Sequence, residues 1–278
     1  MKNAPSDFGN LFDGYNRQAR LYPSLLSIIP LLLAIFSIFP ELIGSHIAAS
    51  IVTITSSCGI LYFMSTVART RGKKIETRLL KEWGGWPTTH LLRHSGGLDV
   101  HTRSRYHKFL EGQIVNLKFP SSDEEKNRPS DADLVYESAI KWLKEQTRGK
   151  EFSILLHENA HYGFRRNMRG MRLIGIIVNL IAFFALLSFD ISRYCTIDIA
   201  SMKIILVDTI RIFGHDNMLI LGAMALNVFF IFVWIVLVTD EWVKEAAAQY
   251  ASSLLASIDQ LPDHVKGRKG SGRQKGVD

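Results

Sequence analysis

Four apolar stretches in two close pairs, set around a polar middle of about a hundred residues, constrain this 278-residue chain more than any motif in it. They cover residues 21–43, 47–67, 173–189 and 218–238. Each lies near or above the ~20 residues that carry a helix across a ~30 Å hydrocarbon core. The third is shorter and stops at Asp190. One such segment fits a buried helix of a soluble protein; four together predict a polytopic membrane protein. The first stretch follows a polar lead of about twenty residues, has no small-residue cleavage signal and runs almost directly into a second span, which argues against a cleaved leader.

The positions of Lys and Arg predict the orientation. Arg17 and Arg20 precede the first span, and Arg69, Arg71, Lys73, Lys74 and Arg78 follow the second. Arg165, Arg166, Arg169 and Arg172 crowd the start of the third, and Lys244 and a basic tail follow the fourth. The turn 40–46 has no Lys or Arg, and the loop 192–217 mixes Arg193, Lys203 and Arg211 with Asp198, Asp208 and Asp216. By the positive-inside rule both termini and the polar middle are cytoplasmic. The stretch 204–207 of the outer loop is then expected along the membrane interface. The net charge of +7 lies almost wholly on the inner side, where topology and anionic lipid explain most of it. Cys58 within a span and Cys195 in the outer loop form no disulfide framework and no redox or metal pair.

The fold class expected is therefore an all-α membrane protein, with four transmembrane helices in two pairs and a helical cytoplasmic domain inserted between them. Its parts are a lead over 1–20, spans over 21–67, the domain over 68–172, spans and an external loop over 173–238, and an amphipathic helix with a basic tail over 239–278. In the middle, helical apolar spacing over 73–83 extends the second span. Gly84-Gly85-Trp86-Pro87 breaks it, a short helix or turn follows over 88–93, and 94–97 is another break. Helices are expected from near Asp99 to 113, over 132–146 and over 152–162, with 119–133 as a polar loop. The Gly- and Lys/Arg-rich stretch 267–278 reads as disordered.

Three constellations bear on function. His157-Glu158-Asn159-Ala160-His161 fits H-E-x-x-H, in which two imidazoles one helical turn apart bind zinc and Glu158 activates a water. With two spans before it and two after, the motif resembles the heat-shock membrane zinc proteases and the prenyl-protein proteases. That resemblance implies Glu245, in Glu245-Ala246-Ala247-Ala248-Gln249, as third metal ligand. Asn159 between the ligands, the Tyr162-Gly163-Phe164 continuation and the lack of substrate-holding strands depart from those families. The alternative is a pair of histidines facing solvent or the interface, with no catalytic residue and no cofactor.

A second constellation is basic and aromatic: Trp86, Arg93, Arg103, Arg105, Tyr106, His107 and Lys108. Arg and His beside rings suit a phosphate-bearing ligand with stacking bases, and a solvated or lipid-facing basic helix is the plainer reading. The third is Tyr162–Arg172, a positive-inside anchor in which Gly163 and Gly170 are expected to permit bending. Within the spans no charged residue sits near a centre, which speaks against proton-coupled transport and voltage sensing. Asn179 and Asn227 should face protein or water and mark a pore or a packing seam, with Thr53, Thr55, Ser56, Ser57 and Cys58 on the second span.

The segments Asn16-Arg17-Gln18-Ala19-Arg20-Leu21-Tyr22-Pro23 and Tyr162-Gly163-Phe164-Arg165-Arg166-Asn167, with the basic middle, give the chain a layout that resembles the four-span effectors of bacterial anti-phage defence. The resemblance implies a homo-oligomer that perturbs the inner membrane. It also implies gating through the cytoplasmic part by a nucleotide or oligonucleotide made by a nucleotidyltransferase partner. A tetramer is expected, because one four-helix chain has no room for a central aqueous path.

Overall fold

The computed structural model describes residues 14–40, 47–198, 203–206 and 218–262, and of 47–58, 193–198 and 203–206 the backbone alone. The expectations for residues 1–13, the turn 41–46, the remainder of the outer loop and the tail lie outside the described residues. So do those for the side chains of Thr53, Thr55, Ser56, Ser57, Cys58, Arg193 and Cys195.

The described chain is helical apart from one short antiparallel strand pair, and it divides into two compact units. The first, Met1–Glu76 with Gly163–Val243, contains α1 (Gly14–Ile38), most of α2 (Ile47–Trp83), most of α7 (Ser153–Tyr194) and α8 (Met218–Val236). α1, α7 and α8 are long and apolar enough to cross a membrane. Their packing inverts that of a soluble bundle. Ser24, Ser27 and Ala34 on α1, Asn179, Ala182 and Leu186 on α7, and Ala223, Asn227 and Trp234 on α8 are buried. Leu32, Phe36, Ile181, Phe184, Phe229 and Phe232 point outward. Small and polar residues inside with large apolar ones outside is the pattern a hydrocarbon solvent selects.

Glycine sets the spacing between α2 and α7. A Cβ at Gly170 would lie 2.6 Å from the Gly72 backbone nitrogen, so the two backbones touch there. Gly163 likewise lies against Ala19. α7 runs unbroken through both glycines. Beside the crossing, Arg166 Nη1 donates to Glu76 at 2.7 Å, and Asn167 Nδ2 donates to the Ala19 carbonyl at 2.6 Å. The accepting Ala19 belongs to a π-helical turn, Arg17–Leu21. α7 also continues past Asp190 to Tyr194. The backbone then forms β1 (Cys195–Asp198), paired antiparallel with β2 (Lys203–Leu206). Thus 204–206, expected along the interface, lie in a strand, and Val207 is outside the described residues.

The second unit, Thr77–Tyr162 with Lys244–Asp278, holds α3 (Pro87–Leu92), α4 (Val100–Gln113), α5 (Ser122–Asn127), α6 (Pro129–Gln146) and most of α9 (Asp240–Ala256). Its core joins Leu92, Leu110, Tyr136, Leu143 and Phe152 to Leu254, Leu255 and Ile258, so the amphipathic C-terminal helix completes this unit. Asp99 caps α4 through Thr102 N at 2.9 Å. α5 falls where a loop was expected. A capping box of Ser121 and Glu124 starts it, and Pro129 in the first turn of α6 opens the next helix.

Candidate functional site

The second unit contains a cavity of about 610 Å³, lined by Trp83, His90, Arg93, Gly96, Gly97 and Lys244 among others. Two chain breaks shape it. Gly84 and Gly85 adopt φ of +74° and +130° and end α2, conformations that glycine reaches without a Cβ clash. The loop 93–97 then closes α3, and a Cβ at Gly96 would lie 2.3 Å from the His90 carbonyl oxygen. His90 Nε2 shares a hydrogen bond of 3.0 Å with the Gly84 carbonyl, which ties one break to α3.

Buried Glu125 and half-buried Asp133 hold the second break. Glu125 accepts from the His94 amide at 2.9 Å and from Tyr136 Oη at 2.6 Å. Burial works against its charge, but these bonds and that from Ser95 outweigh it and hold the carboxyl below its usual range. Burial and the same acid push the Tyr136 phenol up. Asp133 accepts from both Nε and Nη2 of Arg93, a residue of the cavity lining, and leaves Nη1 outside the fork.

The seven basic and aromatic candidates are not gathered at one place. Arg93 lines this cavity. Trp86 carries the Lys144 ammonium over its ring at 4.9 Å. Arg103 donates to the Leu98 carbonyl at 3.3 Å. Arg105 and Tyr106 both reach Asp259, at 3.1 and 3.3 Å, and so clasp the end of the C-terminal helix. His107 stacks on Phe119 at 4.2 Å and bonds the Leu92 carbonyl; burial lowers its pKa. Lys108 is exposed. Sequence reading missed Trp83, His90, Gly96, Gly97 and Lys244. The signal was present in the two glycine breaks flanking α3, which were read only as punctuation.

In the first unit Asn179 and Asn227 are both fully buried. Their Nδ2 groups donate to the carbonyls one turn back, Gly175 at 2.7 Å and Ala223 at 2.8 Å. Both Oδ1 atoms and the Trp234 indole nitrogen are buried with no hydrogen-bond partner among the described residues. One apolar cluster joins Ala34, Ala182, Leu186 and Ile220, and another joins Met168, Met171, Trp234 and Val238. In sequence Ser27, Asn179 and Asn227 fall between the residues of the two clusters, which makes them a polar layer across the apolar interior.

His157 and His161 stand on one face of α7 with ring centroids 4.2 Å apart. Glu245 does not join them: among the described residues no three His, Cys, Asp or Glu side chains converge on one point that would hold a metal ion. The third ligand that the protease resemblance implies, Glu245, is thus not grouped with the histidine pair among the described residues. Comparison with known proteins adds no assignment, since no family model, no curated protein and no solved structure matches the chain.

Proposed function

We propose that the protein is an oligomeric effector of the bacterial inner membrane, channel-forming or membrane-disrupting, controlled by a phosphate-bearing ligand held in its cytoplasmic unit. In this reading α2 supplies the fourth span through residues 47–67, both termini are cytoplasmic, and the assembly is a tetramer. The observation that carries it is the polar layer of Asn179 and Asn227. An unpaired buried polar group costs about 1–3 kcal/mol, so a packed bundle with three such atoms lies close in free energy to one that pairs or wets them. A membrane protein built only as an anchor gains nothing from that layer.

The ligand reading rests on the cavity bordered by His90, Arg93 and Lys244, with Trp83 as an apolar wall and the Gly96–Gly97 backbone as an open edge. These groups suit a phosphate attached to a flat ring system, a nucleotide or short oligonucleotide. An anti-phage defence system with a nucleotidyltransferase partner is the setting that the four-span resemblance implies. A ligand can gate the assembly only by binding two of its states unequally.

The test is expression in bacteria with a membrane-potential dye. Depolarisation is expected, altered by Asn227→Leu, while His90→Ala/Lys244→Ala leaves depolarisation possible but uncouples it from ligand. Toxic expression with an intact membrane potential would sink the channel reading.

A further inference from the structure

The histidine pair on α7 is not used by this function. We propose that His157 and His161 form an open, two-ligand site for a borderline divalent transition metal ion of the zinc class. The spacing of four residues puts both rings on one face. The rings stand 4.2 Å apart at an interplanar angle of 47°, His157 is exposed and His161 half-buried. Rotation of the two side chains would bring one nitrogen of each ring to the ~2.0–2.1 Å that zinc takes from imidazole.

Glu158 follows His157 directly and lies three residues before His161, and it is not grouped with the pair as a third ligand among the described residues. No third His, Cys, Asp or Glu converges on the pair among the described residues. Water therefore fills the remaining positions. Such a site is weaker than a closed structural one and follows the usual order in which Cu²⁺ binds more tightly than Zn²⁺. It is independent of the ligand cavity and of any channel, and its failure leaves both untouched.

Calorimetric titration of ZnCl₂ and CuCl₂ into the full chain, purified without a histidine tag, tests the site. One ion per chain is expected, tighter for Cu²⁺. His157→Ala and His161→Ala should each weaken binding at least tenfold on this reading. Glu158→Gln and Glu245→Gln should leave it unchanged, and circular dichroism of the two histidine variants checks that the helix is intact. Binding undiminished in His157→Ala/His161→Ala, or absent from the native chain, overturns the proposal. Loss in Glu245→Gln overturns it in favour of a three-ligand centre.

Discussion

At Gly170 a single hydrogen decides how closely two helices pack. Alanine there places a methyl group 2.6 Å from backbone, which cannot move aside as a side chain can. Gly170→Ala is expected to destabilise the first unit by about 1–3 kcal/mol, the range of overpacked cores. Gly222→Ala meets nothing within 4 Å and should be neutral or slightly stabilising. Thermal unfolding of both variants in the same detergent checks the contrast. Arg166 offers a second test. Both side chains of its pair with Glu76 are 8% exposed, and Lys73, 3.3 Å away, is 60% exposed and a weaker substitute. Arg166→Met should cost about 3 kcal/mol by leaving a buried carboxylate, and Glu76→Met/Arg166→Met should recover much of it, as a double-mutant cycle would read.

Among the elements, α3 to α6 are tied by groups whose charge depends on pH. His107 stays neutral in the fold because burial lowers its pKa, whereas the unfolded chain takes up a proton below about pH 6.5. Stability is then complete above that value and declines as pH falls from it toward the folded pKa. Glu125 acts at lower pH. Its depressed folded pKa contributes stability that is present above about pH 4.3 and lost as pH falls through the folded value. Denaturation followed through the second unit should show the first decline flattened in His107→Leu and the second in Glu125→Gln. Ser121→Ala, which removes the α5 capping box, should cost about 1 kcal/mol at any of these pH values.

For the whole molecule the open quantities are topology and assembly. With four spans and both ends inside, a cysteine placed at Ser130 should resist external labelling in cells and one at His46 should accept it. The reverse pattern would overturn the orientation. Mass photometry in nanodiscs should give a tetramer, and a monomer there and in detergent would count against a pore between chains.

The membrane character of the chain was legible in its sequence because lipid acts on long runs of residues, and a run of twenty apolar side chains has few other solutions. The helices 73–83, 100–113 and 132–146 were legible for a similar local reason: period, caps and breaks. Placement of the functional groups was not local. Arg93 and Lys244 border one cavity although 151 residues separate them, while Arg103, Arg105 and His107, neighbours in sequence, end at three different partners. Helical spacing tells which residues share a face, but not which carbonyl, ring or carboxylate that face will meet. Asn179 and Asn227 could be predicted to face inward; that their oxygens find no partner among the described residues, between two apolar clusters, was decided by how three helices pack. The role of Gly163 and Gly170 was decided there too, since a glycine inside a helix permits bending or close approach equally, and only the neighbouring backbone selects between them.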